Sequence, residues 1–272
     1  MYVTKPVRWL LRIGSFITLA FLYAPLVVIA IYAFNTTRVQ RWPPDGFTLS
    51  WFSKALHNSG ARHALWTSVQ VGFVATLIAL VLGTLAAYAL ARFAFFGRSA
   101  ISFLIILPIA LPGIVTGMAL NATFTQVLGV DLALWTIVVA HATFCVVMVF
   151  NNVAARLRRT PASLEDAAAD LGAAPRRTFR EITFPQMRSA LIAGGLLAFA
   201  LSFDEVIVTT FTAGDAQTLP LWILDNLSRP RNLPVVNVVA VVVVILSIIP
   251  VWFAQRLSSD PVGLAGTVAT TD

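Results

Sequence analysis

The feature that most constrains this chain is a series of six apolar segments, each long enough to cross about 30 Å of hydrocarbon at about 1.5 Å per residue. They run Ile13–Phe34, Leu65–Leu90, Ala100–Val127, Leu132–Val153, Ser189–Thr212 and Val235–Phe253. A backbone inside a bilayer must satisfy its own N–H and C=O groups, so segments like these predict helices packed as a bundle. Composition agrees. Of 272 residues, 58% are hydrophobic and only 11% charged, where a soluble domain carries about a quarter charged. The expected fold class is an all-α membrane protein with six transmembrane helices, a single transmembrane domain over residues 1–272.

The first segment follows Lys5, Arg8 and Arg12, as a secretory leader would. It is a full span, however, and polar Asn35-Thr36-Thr37 follows it instead of a small-residue cleavage site. An uncleaved first helix is expected. Charge then sets the orientation. Of the 19 Lys and Arg, thirteen share the side of the N-terminus, and six (Arg38, Arg41, Lys54, Arg62, Arg229 and Arg231) lie opposite. That excess puts both termini in the cytoplasm. It also explains the net charge of +7 without a nucleic-acid partner, because the basic residues flank apolar segments.

Several chemistries are excluded. The lone Cys145 sits in an apolar run, so neither a disulfide framework nor a thiolate metal site is expected. His57, His63 and His141 show no ligand spacing. Lys5 and Lys54 are the only lysines and no GxxxxGK pattern exists, so no nucleotide-binding P-loop is expected here. Ser202 and His141 are the only conceivable nucleophile and base. Nothing orders them as a pair, and no catalytic residue is expected.

The third span is interrupted by Leu107-Pro108-Ile109-Ala110-Leu111-Pro112-Gly113. Proline removes a helix hydrogen bond and glycine loosens the turn, so a kink or unwound piece is expected. Two readings fit: an ordinary bundle kink, or a hinge that lines a pathway. The pattern does not recur elsewhere in the chain.

The cytoplasmic loop over 154–188 carries seven arginines and the acids Glu165, Asp166, Asp170 and Glu181. Leu164 to Leu171 reads as a short helix stopped by Gly172, which accepts a positive φ. Pro175 suits the first turn of a second helix through Phe179 and Ile182, expected to end before Pro185. Leu171, Phe179 and Ile182 would give the pair an apolar side ringed by arginine, which is the form of a docking element. A solvated loop that only satisfies the positive-inside rule is the alternative.

Asp204 and Glu205 are the only charged residues within the six spans. An ionised carboxylate near a helix centre costs about 2.5–3.5 kcal/mol on insertion scales, so such residues face protein or water. At 100° per residue, Gly194, Ala198, Ser202, Glu205, Thr209 and Thr212 share one stripe. A small-residue stripe is a packing face; one that turns polar and acidic favours a water-filled pathway. A third reading has one acid capping a kink or pairing with a partner subunit. In the first outer loop, Trp51 and Trp42 with Phe47 and Phe52 read as interfacial anchors.

Asp166-Ala167-Ala168, then Gly172, then Ile182-Thr183-Phe184-Pro185 resembles the EAA motif of ABC importer permeases: EAA, three residues, G, nine residues, I-x-L-P. Asp166 replaces the usual glutamate, with Glu165 beside it, and Phe184 replaces leucine. The stretches from Leu107 to Pro112, His141 to Phe144, Leu201 to Val206, Thr212 to Gly214 and Leu219 to Leu221 resemble the second permease of spermidine/putrescine-type importers. The likeness covers about Tyr23 to Gln255.

The resemblance implies the permease fold of type I importers, in a bacterial inner membrane. It implies a second homologous permease, two cytoplasmic ATPase subunits that hold ATP and magnesium, and an extracytoplasmic solute-binding protein. This chain would bind no cofactor. Glu165, Asp166, Ala167, Ala168, Gly172, Ile182 and Pro185 would couple to the ATPase. The acids and the polar end of the stripe make Ser202, Asp204, Glu205 and Thr209 the expected lining of the path of a small cation, which the resemblance implies to be putrescine or spermidine; the resemblance also places Trp51 on the external side as a possible contact. Gly113 takes a place where some polyamine permeases carry a further acid. The alternatives are another solute (γ-aminobutyrate, a phosphonate or iron) or a proton-coupled secondary carrier.

Overall fold

The computed structural model describes residues 4–228 and 232–258, with side chains described except at Lys5 and from 248 onward. Arg229 and Arg231 of the charge argument lie outside the described residues, as does the side chain of Arg256.

The chain is helical in the order α1 Lys5–Ala33, α2 Ser50–Leu56, α3 Ser59–Arg92, α4 Arg98–Ala110, α5 Gly113–Ala122, α6 Leu134–Arg158, α7 Ser163–Asp170, α8 Pro175–Thr178, α9 Phe184–Asp204, α10 Ile207–Thr212, α11 Leu219–Ser228 and α12 Leu233–Ser258. Helix α1, helix α3, helix α6 and the stretch Pro175–Asp204 are each long and apolar enough to cross a membrane. Helices α4 and α5 together make a fifth apolar pair, bent by 105°. The sixth predicted span falls in α12, whose apolar part with described side chains, Leu233–Ser247, is shorter than a full crossing.

Backbone packing divides the chain into two units. One comprises the chain up to Arg62 together with Trp222–Ile248. Within it, Asn35 bridges Phe47, and Phe34 tilts against Phe52 with ring centroids 5.0 Å apart. Trp51 is 5% exposed and its Nε1 donates to the Asn35 carbonyl at 2.7 Å, while Lys54 Nζ lies 4.1 Å over its ring. Trp51 is therefore neither an interfacial anchor nor an open contact surface in this chain. It is the buried pin of the loop.

The other unit holds His63–Leu221 and is organised around α6. That helix is apolar on every side and buries Ile137, Val147, Val149 and Val153 completely, the behaviour of a helix enclosed by others. Glycines set the approach. A Cβ at Gly83 of α3 would meet the Val146 carbonyl of α6 at 2.9 Å, and one at Gly194 of α9 would meet Val149 Cα at 3.2 Å. Small residues at such crossings let backbones close on one another where hydrophobicity supplies no force.

The cytoplasmic loop begins as the sequence requires. Helix α7 ends in a Schellman arrangement, with Gly172 at φ +79°, Gly172 N–H on the Ala169 carbonyl and Ala173 N–H on the Ala168 carbonyl. Pro175 opens α8. The expected stop before Pro185 is corrected: the chain stays helical from Pro175 to Asp204. A π turn over Phe179–Thr183 intervenes, with Phe184 N–H reaching back to the Phe179 carbonyl. The wider turn gives the Pro185 ring room that a regular α turn would deny it.

The fifth span is corrected as well. Instead of running unbroken to Thr212, helix α9 stops at Asp204, Glu205 is extended (φ −72°, ψ 115°), and α10 starts afresh at Ile207.

Candidate functional site

Two features collect the polar side chains of the larger unit: the break at Glu205, and the junction of the cytoplasmic loop with α3.

At the break, α9 and α10 present free backbone groups in apolar surroundings, and side chains complete them. Glu205 Oε1 accepts the Val208 N–H at 2.9 Å, capping α10. Thr209 Oγ1 donates to the Glu205 carbonyl at 2.6 Å. At the far end of α10, Asn121 Nδ2 of α5 donates to the Phe211 carbonyl at 2.6 Å, and Thr136 Oγ1 of α6 lies 2.7 Å from the Thr212 carbonyl. Of the three readings of the acids, Glu205 as the cap of a kink is the one the geometry displays. Asp204 differs: it is exposed and bonded to no other side chain among the described residues.

His141 of α6 spans the interruption. Its Nδ1 is 2.8 Å from Ser202 Oγ, before the break, and its Nε2 is 2.9 Å from Thr209 Oγ1, after it. The hydrogen bonds fix the tautomer. Thr209 has one hydroxyl proton and gives it to the Glu205 carbonyl, so Nε2–H must donate to Thr209 Oγ1. Nδ1 then accepts from the Ser202 hydroxyl. The imidazole is a neutral tie between the two pieces of the span.

The predicted stripe is thereby divided. Ser202 (4% exposed) and Thr209 (fully buried) face α6 with Ala198 and Thr212, as a packing face does. Asp204 lies off that face, and Glu205 is half-buried at the turn. The packing reading holds for the buried members, and only the acids border open space. The other interruption is close by: a Cβ on Gly113, the first residue of α5, would lie 3.7 Å from Ile207, the first of α10.

At the loop junction, Arg92 Nε at the end of α3 donates to Glu165 Oε1 at 3.0 Å, and Thr183 Oγ1 donates to the same oxygen at 3.0 Å. Arg92 and Glu165 keep only 11% and 17% of their side-chain surface exposed. Glu165 therefore faces inward, tying α7 to the end of α3 and to the π turn. Ala168 is buried beside it, whereas Asp166 and Ala167 are exposed. Pro185 is exposed and Ile182 half-buried. The expected common apolar side also separates. Leu171 stands 89% exposed, while Phe179 packs edge-on against Tyr88 of α3 with centroids 5.7 Å apart.

Sequence reasoning missed Arg92, which it counted only as a basic flank, and Thr183 as a hydroxyl donor. Nothing in a local window pairs residues 92 and 165. His141 was legible as an interior histidine, but its two partners were not.

The family described as binding-protein-dependent transport system inner membrane component matches residues 79–260. The putrescine transport system permease protein PotI of Escherichia coli (strain K12) is 35% identical over 231 residues, covering 82% of this chain and 81% of that one. The spermidine/putrescine transport system permease protein PotC of Haemophilus influenzae is 33% identical over 245 residues, covering 89% and 94%. The putative 2-aminoethylphosphonate transport system permease protein PhnV of Salmonella typhi is 32% identical, covering 80% and 82%. Among solved structures, a chain of a bacterial ABC transporter that imports the acidic polysaccharide alginate shares the fold. Its TM-score is 0.67 at 18% identity, over 94% of this chain and 99% of that one.

Proposed function

Because the chain belongs to the binding-protein-dependent transport system inner membrane component family, we propose that it is the permease of an ATP-driven importer whose solute is a small organic cation of the polyamine class. The observation that carries the solute reading is the exposed carboxylate of Asp204 at the break, with no lysine or arginine in any of the six apolar segments predicted from the sequence. A cation entering from water loses hydration, and an anionic group in a low-dielectric site offsets that loss. The relatives named for putrescine and spermidine support it. Asp204 meets the ammonium group; Glu205, with one oxygen held by Val208 N–H, shapes the turn and adds its charge. Ser202 and Thr209 act on the solute only through the turn that they and His141 hold.

The chain itself carries out no chemistry in this reading. Energy enters through two cytoplasmic ATPase subunits, a second permease completes the pathway, and a solute-binding protein delivers from outside. Both termini are cytoplasmic. Asp166, Ala167, Leu171 and Gly172 form the outward side of the coupling element. The Arg92–Glu165–Thr183 link passes its displacement to α3 and, through the continuous helix from Pro175, to α9 and the break.

The test is ATP-dependent uptake of radiolabelled putrescine by proteoliposomes that hold the complete transporter. Asp204→Asn is expected to lower uptake at least about tenfold, the scale of one lost charge-assisted contact, with ATPase activity retained. Full uptake in that variant refutes the role of Asp204. ATPase stimulation by the binding protein without any putrescine uptake refutes the polyamine assignment. A second solute has specific support in the PhnV likeness. 2-Aminoethylphosphonate also carries an ammonium group, so competition by it against putrescine separates the two.

A further inference from the structure

Helix α9 has three faces, and two of them meet neighbours within this chain. Met187 and Ala198 belong to the core around α6, Ser202 reaches His141 of α6, and a Cβ on Gly194 would meet Val149 of the same helix. Ile192, Gly195, Leu196 and Phe199 line an apolar groove shared with Leu77 and Leu80 of α3. At about 100° per residue, the third face holds Gln186, Ala190, Ala193, Leu197, Ala200 and Asp204, all within about 40° of one line. Leu197 is 51% exposed there, and Ala200 and Asp204 are exposed with it. A carboxylate within a span is costly against lipid, so the face that carries Asp204 turns to water or to protein.

This face is small at every apolar level but one. Ala190, Ala193 and Ala200 leave room beside the helix, and Leu197 is the one large apolar side chain on the line, about 10 Å along the axis from Asp204. From this we infer that Leu197 is the size-selecting residue of the solute path, narrowing it on the side of the cytoplasmic loop. An apolar constriction excludes water and sets the width that passes. Asp204 draws in the ammonium group, and Leu197 admits a slim alkyl chain while it refuses a branched or hydrated cation. The role of Leu197 rests on Asp204 lining the path, but each residue has its own readout.

The experiment uses proteoliposomes that hold the complete transporter, supplied with radiolabelled putrescine or with radiolabelled 1,4-bis(dimethylamino)butane, which has the same length and wider ends. Leu197→Ala is expected to raise uptake of the wide diamine relative to putrescine roughly tenfold, the scale of a methylene or two in a tight pocket. Leu197→Val should move the ratio the same way by less, and it covers the case in which the alanine variant does not assemble. Leu197→Met, which conserves volume, and Ile192→Ala, which faces the α3 groove, should keep the native ratio. A second readout needs no solute. Ala193→Cys and Leu197→Cys should react with a water-soluble methanethiosulfonate during ATP turnover, and Ile192→Cys should not; Cys145 is buried and gives no background. A native ratio in Leu197→Ala, or in Leu197→Val where the alanine variant does not assemble, overturns the proposal. So does an equal shift in Ile192→Ala, or protection of all three cysteines, the result of a face that only packs against a second permease. Reduced uptake in Asp204→Asn beside an unshifted ratio in Leu197→Ala removes Leu197 alone. A shifted ratio beside full uptake in Asp204→Asn removes Asp204 alone.

Discussion

The third span breaks at Leu111 and Pro112, the fifth at Glu205, and the two interruptions have opposite origins. At the first, Pro112 lacks an N–H and pushes Leu111 into the extended region (φ −82°, ψ 144°), so the helix ends whatever surrounds it. Gly113 then starts α5 at a bend of 105°. At the second, no proline or glycine stands between Phe203 and Phe211, and every residue there tolerates a helix. That break exists because its freed backbone groups find partners, Glu205 on Val208 N–H and Thr209 on the Glu205 carbonyl, while Asn121 holds the Phe211 carbonyl at the far end of α10. One interruption is covalent in cause and the other cooperative. The cooperative one carries the acids.

If this contrast holds, variants of the second break should cost more than variants of the first. Replacing His141 by Leu removes the tie between Ser202 and Thr209, strands the Ser202 hydroxyl and takes from Thr209 the donor it accepts, so the largest loss, about 2 kcal/mol, is expected. Thermal unfolding of the detergent-solubilised protein measures it, and His141→Gln should recover part because it keeps one donor and one acceptor. An unchanged melting temperature in His141→Leu would remove the tie from the account.

Gly117→Val comes next. Its Cβ would lie 2.7 Å from the Phe211 ring, where α5 meets α10, so the ring must shift at a cost of about 1–2 kcal/mol. The same melting assay reads it, and a compensating Phe211→Ala should restore assembly. Glu205 separates charge from capping. Glu205→Ala is expected to lose about 1 kcal/mol, the ordinary worth of a cap, whereas Glu205→Gln keeps an acceptor for Val208 N–H and should melt as the native protein does. Pro112→Ala restores an N–H and frees Leu111 for the α region, so a cysteine accessibility scan along 108–116 is expected to shift toward the pattern of a continuous helix, with a stability change under about 0.5 kcal/mol. A native pattern in that variant would show that the packing of α5 on α10, and not proline, holds the first break.

On the cytoplasmic side the balance between local and distant causes is similar. Gly172, Pro175 and the motif spacing specify α7 and the start of α8 almost residue by residue, since a Schellman stop and an N1 proline are local events. The onward course through Pro185 was not legible. It depends on a π turn whose Thr183 hydroxyl is held by Glu165, 18 residues earlier in the chain, against Arg92, 73 residues before that.

By itself the sequence determined that this is a helical membrane protein, where its apolar segments lie, that the third span is interrupted, and which family motif occupies the cytoplasmic loop. Each follows from a property of one short stretch: hydrophobic length, a missing N–H, a glycine able to take positive φ. Only the tertiary structure decided that Trp51 is buried, that Glu165 turns inward, that the fifth span breaks without a helix breaker, and that His141 holds its two halves. Those outcomes depend on which donor meets which acceptor across the bundle. In an apolar medium every polar group must find a partner, and the partner's position is set by the packing of other helices rather than by its neighbours in the chain.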